Sequence, residues 1–431
     1  MAVDDTPFGA LVAPPAPRRA PPAAHGVAPD AADPPELVMR LGRALHAAGS
    51  PAHRIEEGME AASRRLGISG QYFSTPTALF ASFTDAQGAR NTILERVQPG
   101  DVNLERMSDL DELLGRLAEG KLAPREAAEE LRRFEGAAPR YGALLTTLSF
   151  ALASGAAAQF LGGGVREIAA ATGVGLLTGV LASVAARAVA LGRLFEPLAA
   201  LMASLDATVA AAMLPPLSVF LVTLAGLIVL VPGLTLTVSI SELASRQLVS
   251  GSARLAGAVV LFFAIALGVA VGSQLGASIV GGHPARVDPT PLGELWRWAA
   301  LVAAGLSFTV LLRARPRDAG WVLLAGVLAI EGVRLGAQLL GPQLGAFVGA
   351  LLVGIGANVY ARLLRRPAAV MQTPGLIVLV PGSLGFRSLA ALLERDVLSG
   401  VQTAFATTLV AIALATGILL ANVVIPPRRL L

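Results

Sequence analysis

Cysteine is absent from the 431-residue chain, which removes disulfide frameworks, thiolate metal sites and a cysteine nucleophile. Lysine is nearly absent, Lys121 being the only one. Positive charge therefore rests on arginines beside apolar runs, with no basic patch of the kind that grips nucleic acid. The four histidines, His25, His46, His53 and His283, are scattered, so no metal site and no cofactor are expected. Charged residues make up only 15% and aromatics 5% of the chain, against 54% apolar residues and a mean hydropathy of +0.65. That balance excludes an ordinary soluble globule and describes a polytopic membrane protein with a polar extension.

The polar part comes first. Residues 1–35 hold nine prolines, many alanines and no long apolar run. They read as a disordered tail and not as a cleaved signal. Residues 36–140 change to a soluble pattern. Helices are predicted over 37–48, 53–66, 110–118 and 125–134, with strands over 72–74, 78–84 and 92–97. This is a small cytoplasmic α+β domain, long enough for its own core.

Long apolar runs follow from Tyr141. Residues 207–241 carry no charge. At 1.5 Å per residue their 35 positions would make a helix of about 52 Å against a hydrocarbon core of about 30 Å, so Pro215-Pro216 must turn the chain. Gly341-Pro342 divides 335–361 in the same way. Ten spans result, at roughly 142–162, 168–187, 195–214, 217–240, 255–277, 297–313, 319–340, 343–363, 372–388 and 400–424. With the amino end inside, thirteen flanking arginines fall on the inner side, including Arg313, Arg315, Arg317, Arg428 and Arg429. Five fall outside: Arg166, Arg286, Arg297, Arg387 and Arg395. The asymmetry places both ends in the cytoplasm of a multi-pass protein of the cell membrane. Trp296 and Trp298 are then anchors at the outer interface and Trp321 at the inner one.

Gly226-Leu-Ile-Val-Leu-Val-Pro-Gly233 recurs letter for letter as Gly375-Leu-Ile-Val-Leu-Val-Pro-Gly382. The offset, 375 − 226 = 149, also carries Ser250-Gly251 onto Ser399-Gly400. Two halves are implied, 141–280 and 281–431, of five spans each. An odd number of spans per half makes the second run inverted to the first, as in many secondary transporters. The expected fold is an all-α membrane bundle of about ten spans, built as two inverted five-helix repeats and preceded by the α+β domain.

Within each copy, Pro232 and Pro381 withhold an amide and clash with the carbonyl four residues back, which frees backbone polar groups at membrane depth. Free helix ends can hold both charges of a zwitterion. Gly233, Thr235 and Thr237 after the first break, and Gly382 and Ser383 after the second, complete the candidate substrate site. The alternative is a kink that only shapes packing. Charges inside spans need a reason, since each costs at least about 2.5–3.5 kcal/mol near the bilayer centre. Asp206 has no partner nearby in sequence and is the candidate proton carrier. Glu331 and Arg334, spaced i, i+3, join it as candidates for coupling, with a structural ion pair as the alternative. Glu242 is read as lying in a solvated loop, with an inner gate as the other reading. Glycine pairs such as Gly175 and Gly179, Gly268 and Gly272, and Gly345 and Gly349 indicate close helix packing. In the soluble domain His46, His53, Arg54, Glu56 and Glu57 precede Ser74-Thr75-Pro76-Thr77, but no nucleophile elbow, phosphate loop or zinc motif accompanies them.

Leu45-His46-Ala47-Ala48-Gly49, Arg54-x-Glu56, Leu66-Gly67, Thr75-Pro76-Thr77 and the first Leu-Val-Pro-Gly with Ser250-Gly251 downstream carry a resemblance. Together they resemble the bacterial threonine/serine exporter family. The second half, with Leu379-Val380-Pro381-Gly382, looks like the smaller companion domain that some bacteria encode as a separate subunit. The resemblance spans about residues 36–425. It implies a transporter and not an enzyme, exporting L-threonine and L-serine under the proton gradient. Small-dicarboxylate export, associated with relatives of the two-subunit type, is one alternative. A membrane-anchored hydrolase using the soluble domain is another.

Overall fold

The structure is a computed structural model that describes residues 33–84, 88–285, 287–341, 344–380, 382–393 and 396–427. Residues 1–32 of the tail expected at 1–35, Pro342, Pro381 and the flanking Arg286, Arg395, Arg428 and Arg429 lie outside the described residues, while Pro34 and Pro35 at the end of that tail already open a helix.

The soluble domain is built from α1 (Pro34–Ala47), α2 (Ala52–Leu66), β1 (Ser69–Thr75), β2 (Ala78–Thr84), β3 (Arg90–Arg96), α3 (Leu104–Ala118) and α4 (Pro124–Gly136). The strands form one antiparallel sheet in the order β1-β2-β3, with Thr75 opposite Ala78 across the Pro76-Thr77 turn. Alternation along β2 buries Leu79, Ala81 and Phe83 against helical residues such as Leu41, Leu45, Ile55, Met59, Leu110 and Leu114. The α+β reading of this segment holds.

The remaining chain is helical: α5 (Ala143–Phe160), α6 (Val165–Ala185), the short α7 (Val189–Gly192), α8 (Phe195–Met213), α9 (Val219–Gly226), α10 (Gly233–Ala244), α11 (Leu248–Val280), α12 (Glu294–Leu311), α13 (Ala319–Leu340), α14 (Gly345–Leu364), α15 (Ala369–Leu379), α16 (Gly382–Leu393) and α17 (Val397–Val424). Among the described residues nine helices are long and apolar enough to cross a membrane, α15 and α16 counting together as one. The remaining expected span is the pair α9 and α10. Their 8 and 12 residues are separated by a turn over 227–232, so neither reaches across alone.

The offset of 149 extends well beyond the repeated octapeptide. Added to the first residues of α5, α8, α9, α10 and α11 (143, 195, 219, 233 and 248) it gives 292, 344, 368, 382 and 397. The observed starts of α12, α14, α15, α16 and α17 are 294, 345, 369, 382 and 397. Packing repeats as well. The pairs α5–α6, α6–α8, α6–α9, α8–α9, α8–α11 and α10–α11 are matched by α12–α13, α13–α14, α13–α15, α14–α15, α14–α17 and α16–α17. Between the halves, α10 packs on α17 as α11 packs on α16, while α5 meets its counterpart α12 and α10 meets α16. The expected small-residue contacts are present. A side-chain carbon at Gly268 or Gly276 would run into Ala200 or Thr208 of α8, and one at Gly332 would lie 2.7 Å from the Gly349 backbone.

Candidate functional site

Both Val-Pro-Gly segments interrupt their helices, and the interruptions meet. Gly233 opens α10 directly after Pro232, whose backbone leaves the helical region at φ −76, ψ 42. Gly382 opens α16. A β-carbon placed on Gly233 would run into Val380 Cγ1 and lie 3.1 Å from the Gly382 Cα; one on Gly382 would lie 2.8 Å from Val231 Cγ1. Val231 and Val380 are themselves related by the offset of 149. Each break therefore seats its valine on the glycine of the other, a reciprocal contact that only two residues without side chains permit at this distance.

The polar groups expected at the site divide in two. Thr237 donates to the Gly233 carbonyl at 3.2 Å and nearby Ser239 to that of Leu236 at 2.7 Å, so both hydroxyls serve their own half-helix. Thr235 and Ser383 follow the two glycines on α10 and α16. Upstream of the first break, the Gly226 carbonyl accepts a 3.5 Å bond from Ser154. Thr223, one turn earlier, buries a hydroxyl that has no partner among the described residues.

Asp206 lies on α8, and its Oδ2 is buried without a hydrogen-bond partner among the described residues. Glu331 and Arg334 stand apart from it. They pair at 3.2 Å on α13, and Arg334 also approaches Glu294 of α12 at 3.5 Å. Glu294 in turn pairs with Arg297. Glu331 and Arg334 are each 44% exposed.

Glu242 is not in a solvated loop. It is 1% exposed, near the end of α10. It accepts bonds from Ser250 Oγ at 2.8 Å, Arg254 Nε at 3.2 Å and the Ala52 amide of the soluble domain at 3.1 Å. The sequence signal that was available is in α2, which opens with neither a capping side chain nor an acidic residue in its first turn. In the soluble domain His46 Nε2 lies 3.2 Å from the Thr75 carbonyl, and Glu57 pairs with Arg54 at 3.0 Å. Burial, helped by Arg54 and opposed by Glu242, pushes the His53 pKa down to about 4. Burial also raises that of Glu56, although the Ser74 amide and Gln247 donate to it.

Paired helix breaks inside a polytopic bundle define a membrane transporter. Comparison with known proteins gives the family. A threonine/serine exporter model matches residues 36–276, and a second, described as Threonine/Serine exporter, ThrE, matches residues 298–424. The chain belongs to the threonine/serine exporter family, a family of membrane exporters and not of enzymes. A protein of Corynebacterium glutamicum named Threonine/serine exporter is 24% identical over 89% of this chain and 81% of its own length. Proteins named Pheromone-regulated membrane protein 10 are 26% identical in Pichia sorbitophila and 27% in Yarrowia lipolytica, over 85% and 88% of this chain. The chain spans only 37% and 33% of those fungal proteins. No solved structure matches it.

Proposed function

We propose that the chain exports small amino acids, threonine and serine foremost, across the cytoplasmic membrane in exchange for protons. The observation that carries this reading is the reciprocal contact of the two breaks, in which Gly233 and Gly382 meet where α10 and α16 begin. Proline at 232 and 381 withholds an amide from its helix, and the half-helix ends this leaves are suited to the ammonium and carboxylate of one zwitterion. Thr235, Thr237 and Ser383 supply hydroxyls beside them. Asp206, whose Oδ2 is buried without a partner among the described residues, is the proton carrier in this scheme. Glu331 and Arg334, already matched with each other and with Glu294, fasten α12 to α13 and enter coupling only through that fastening.

The same reading makes 36–140 a cytoplasmic domain and 141–280 and 281–431 two inverted repeats, with both chain ends inside. Equivalent helix starts and equivalent packing pairs support the repeat, and the odd span count per half supports the inversion. Counterflow of radiolabelled L-threonine into liposomes containing the purified chain tests the function. Uptake that depends on internal threonine or serine and responds to an imposed pH gradient is expected. Counterflow of a small dicarboxylate in place of either amino acid moves the substrate to that class, and absence of any flux removes the transport reading.

A further inference from the structure

The soluble domain touches the two membrane halves in unlike ways. Towards the second half its hydrophobic core continues without a boundary into Leu312, Ala314 and Val322, with Phe308 and Ile377 packed against the same cluster. The Leu104 amide donates to the Leu312 carbonyl at 3.0 Å and the Glu105 amide to that of Arg313 at 3.1 Å. Arg315 pairs with Asp109. Opening this side would expose apolar surface and break bonds that are already well made.

Towards the first half the contact is polar and incompletely bonded. The uncapped amino end of α2 gives its Ala52 amide to Glu242, and Gln247 donates to Glu56 at 3.1 Å. On the soluble side of this contact, His46 Nδ1, His53 Nδ1 and Ser74 Oγ are buried without partners among the described residues. His46 is 3% and Ser74 1% exposed. Each of these atoms gains a hydrogen bond when water reaches it, so opening this side is opposed far less than opening the other. Glu242 remains paired with Ser250 and Arg254 on its own half when α2 leaves.

We propose that the soluble domain is the cytoplasmic gate of the transporter. It rides on the second half as one body, and the seat of Glu242 on the amino end of α2 is a latch to the first half that opens when the halves move apart. Glu242 belongs to α10, the half-helix that leaves the first break, so the latch acts directly on the element next to the proposed substrate site. The latch is one-sided. The offset of 149 carries Glu242 to Ala391 and Arg254 to Thr403, and neither can repeat the seat in the second half, as suits a gate serving one face of the membrane.

Hydrogen exchange on the full chain in lipid nanodiscs reads the latch without any substrate. Amides at 52–55 are expected to exchange at least tenfold faster than those at 104–107, and Glu242→Gln should speed the first group while leaving the second unchanged. Equal protection of the two groups in the wild-type chain overturns the proposal, whatever the variant does. A flux arm rests on the export reading above. The cysteine-free chain accepts engineered pairs without background: Glu56→Cys with Gln247→Cys at the latch, and Glu105→Cys with Arg313→Cys on the other side. Bridging the latch pair with a reducible bis-methanethiosulfonate should abolish L-threonine counterflow and dithiothreitol should restore it, whereas bridging the second pair should leave flux intact. Flux through a bridged latch, or its loss on bridging the second pair, overturns the gate. If the unbridged chain moves no L-threonine, the export reading fails and the exchange comparison alone decides the latch.

Discussion

Replacing Gly233 by alanine adds one methyl group where the two breaks meet, and the structure sets the size of the effect. The new carbon would run into Val380 Cγ1 and lie 3.1 and 3.2 Å from the Cα and amide nitrogen of Gly382. Two of these three neighbours are backbone atoms that cannot rotate away. Overpacking of this kind costs roughly 1–3 kcal/mol. Alanine returns at most about 1 kcal/mol of helix propensity. A net loss of up to about 2 kcal/mol is expected, enough to shift a conformational equilibrium by as much as about thirtyfold. Counterflow of L-threonine should fall accordingly while expression and membrane insertion persist. Val380→Ala removes the methyl groups in the way, so the double variant should recover most of the loss, a coupling that a thermodynamic cycle on the four proteins measures. Gly257→Ala serves as the control, because nothing lies within 4 Å of the added carbon there. Full activity of Gly233→Ala, or failure of Val380→Ala to rescue it, would show that the breaks do not meet in the transporting protein.

Asp206→Asn should leave amino-acid exchange intact and abolish the response of net export to an imposed pH gradient; a retained response excludes this residue as the carrier. Arg334→Gln strips Glu331 of its partner and leaves Glu294 with Arg297 alone, so it should lower the unfolding midpoint of the purified chain, and adding Glu331→Gln should recover part of that loss. These charges are nearly half exposed, so the effect should be under about 1 kcal/mol. His53 has a folded pKa of about 4 against 6.5, so the folded state resists its protonation. Its contribution is complete above about pH 6.5 and is lost as pH falls towards 4, by up to about 3 kcal/mol in total. Unfolding midpoints measured from pH 7.5 to pH 5 should fall for the wild type and fall less for His53→Asn; parallel curves would mean that burial of His53 does not set the pH response.

Repetition made the membrane architecture legible. The octapeptide fixed an offset of 149 that later proved to relate five helix starts, because a duplicated half keeps its spacing when its sequence drifts. Binary pattern made the soluble domain legible as well, strand by strand. The fourth span was not, since hydropathy measures how apolar a stretch is and is blind to a six-residue turn made of equally apolar residues at 227–232. The site was legible in kind and not in arrangement. Both Pro-Gly breaks could be read as breaks, but nothing one-dimensional says that Val231 lies on Gly382 and Val380 on Gly233. Glu242 was misplaced for a related reason. Its partners, Ser250 and Arg254 on α11 and Ala52 across 190 positions of sequence, come together only in three dimensions.

If the breaks are the points at which the proposed transporter changes shape, the far ends of the broken helices supply the reason. Before the first break, the start of α9 is tied to α6: Glu167, buried at the amino end of α6, accepts bonds from the Gly164 amide at 3.0 Å and the Ser218 amide at 3.3 Å. Before the second, buried Asp318 at the amino end of α13 holds Arg366, three residues ahead of α15, at 2.6 Å. A carboxylate near the amino end of the equivalent helix does this in each half, with a backbone amide as partner in one and a guanidinium in the other. Removing either partner would strand a buried charge, which is costly enough to keep both ties closed. The helices ahead of the breaks are thereby fixed to their own halves, whereas α10 and α16 begin at residues without helical amide partners and lean on each other through glycine. A displacement of one half against the other therefore concentrates its backbone change at Pro232-Gly233 and at Gly382. On the reading proposed above, such a displacement would open the buried contact of Gly233 with Gly382, so that binding of a small zwitterion and the change of access would fall at the same few residues.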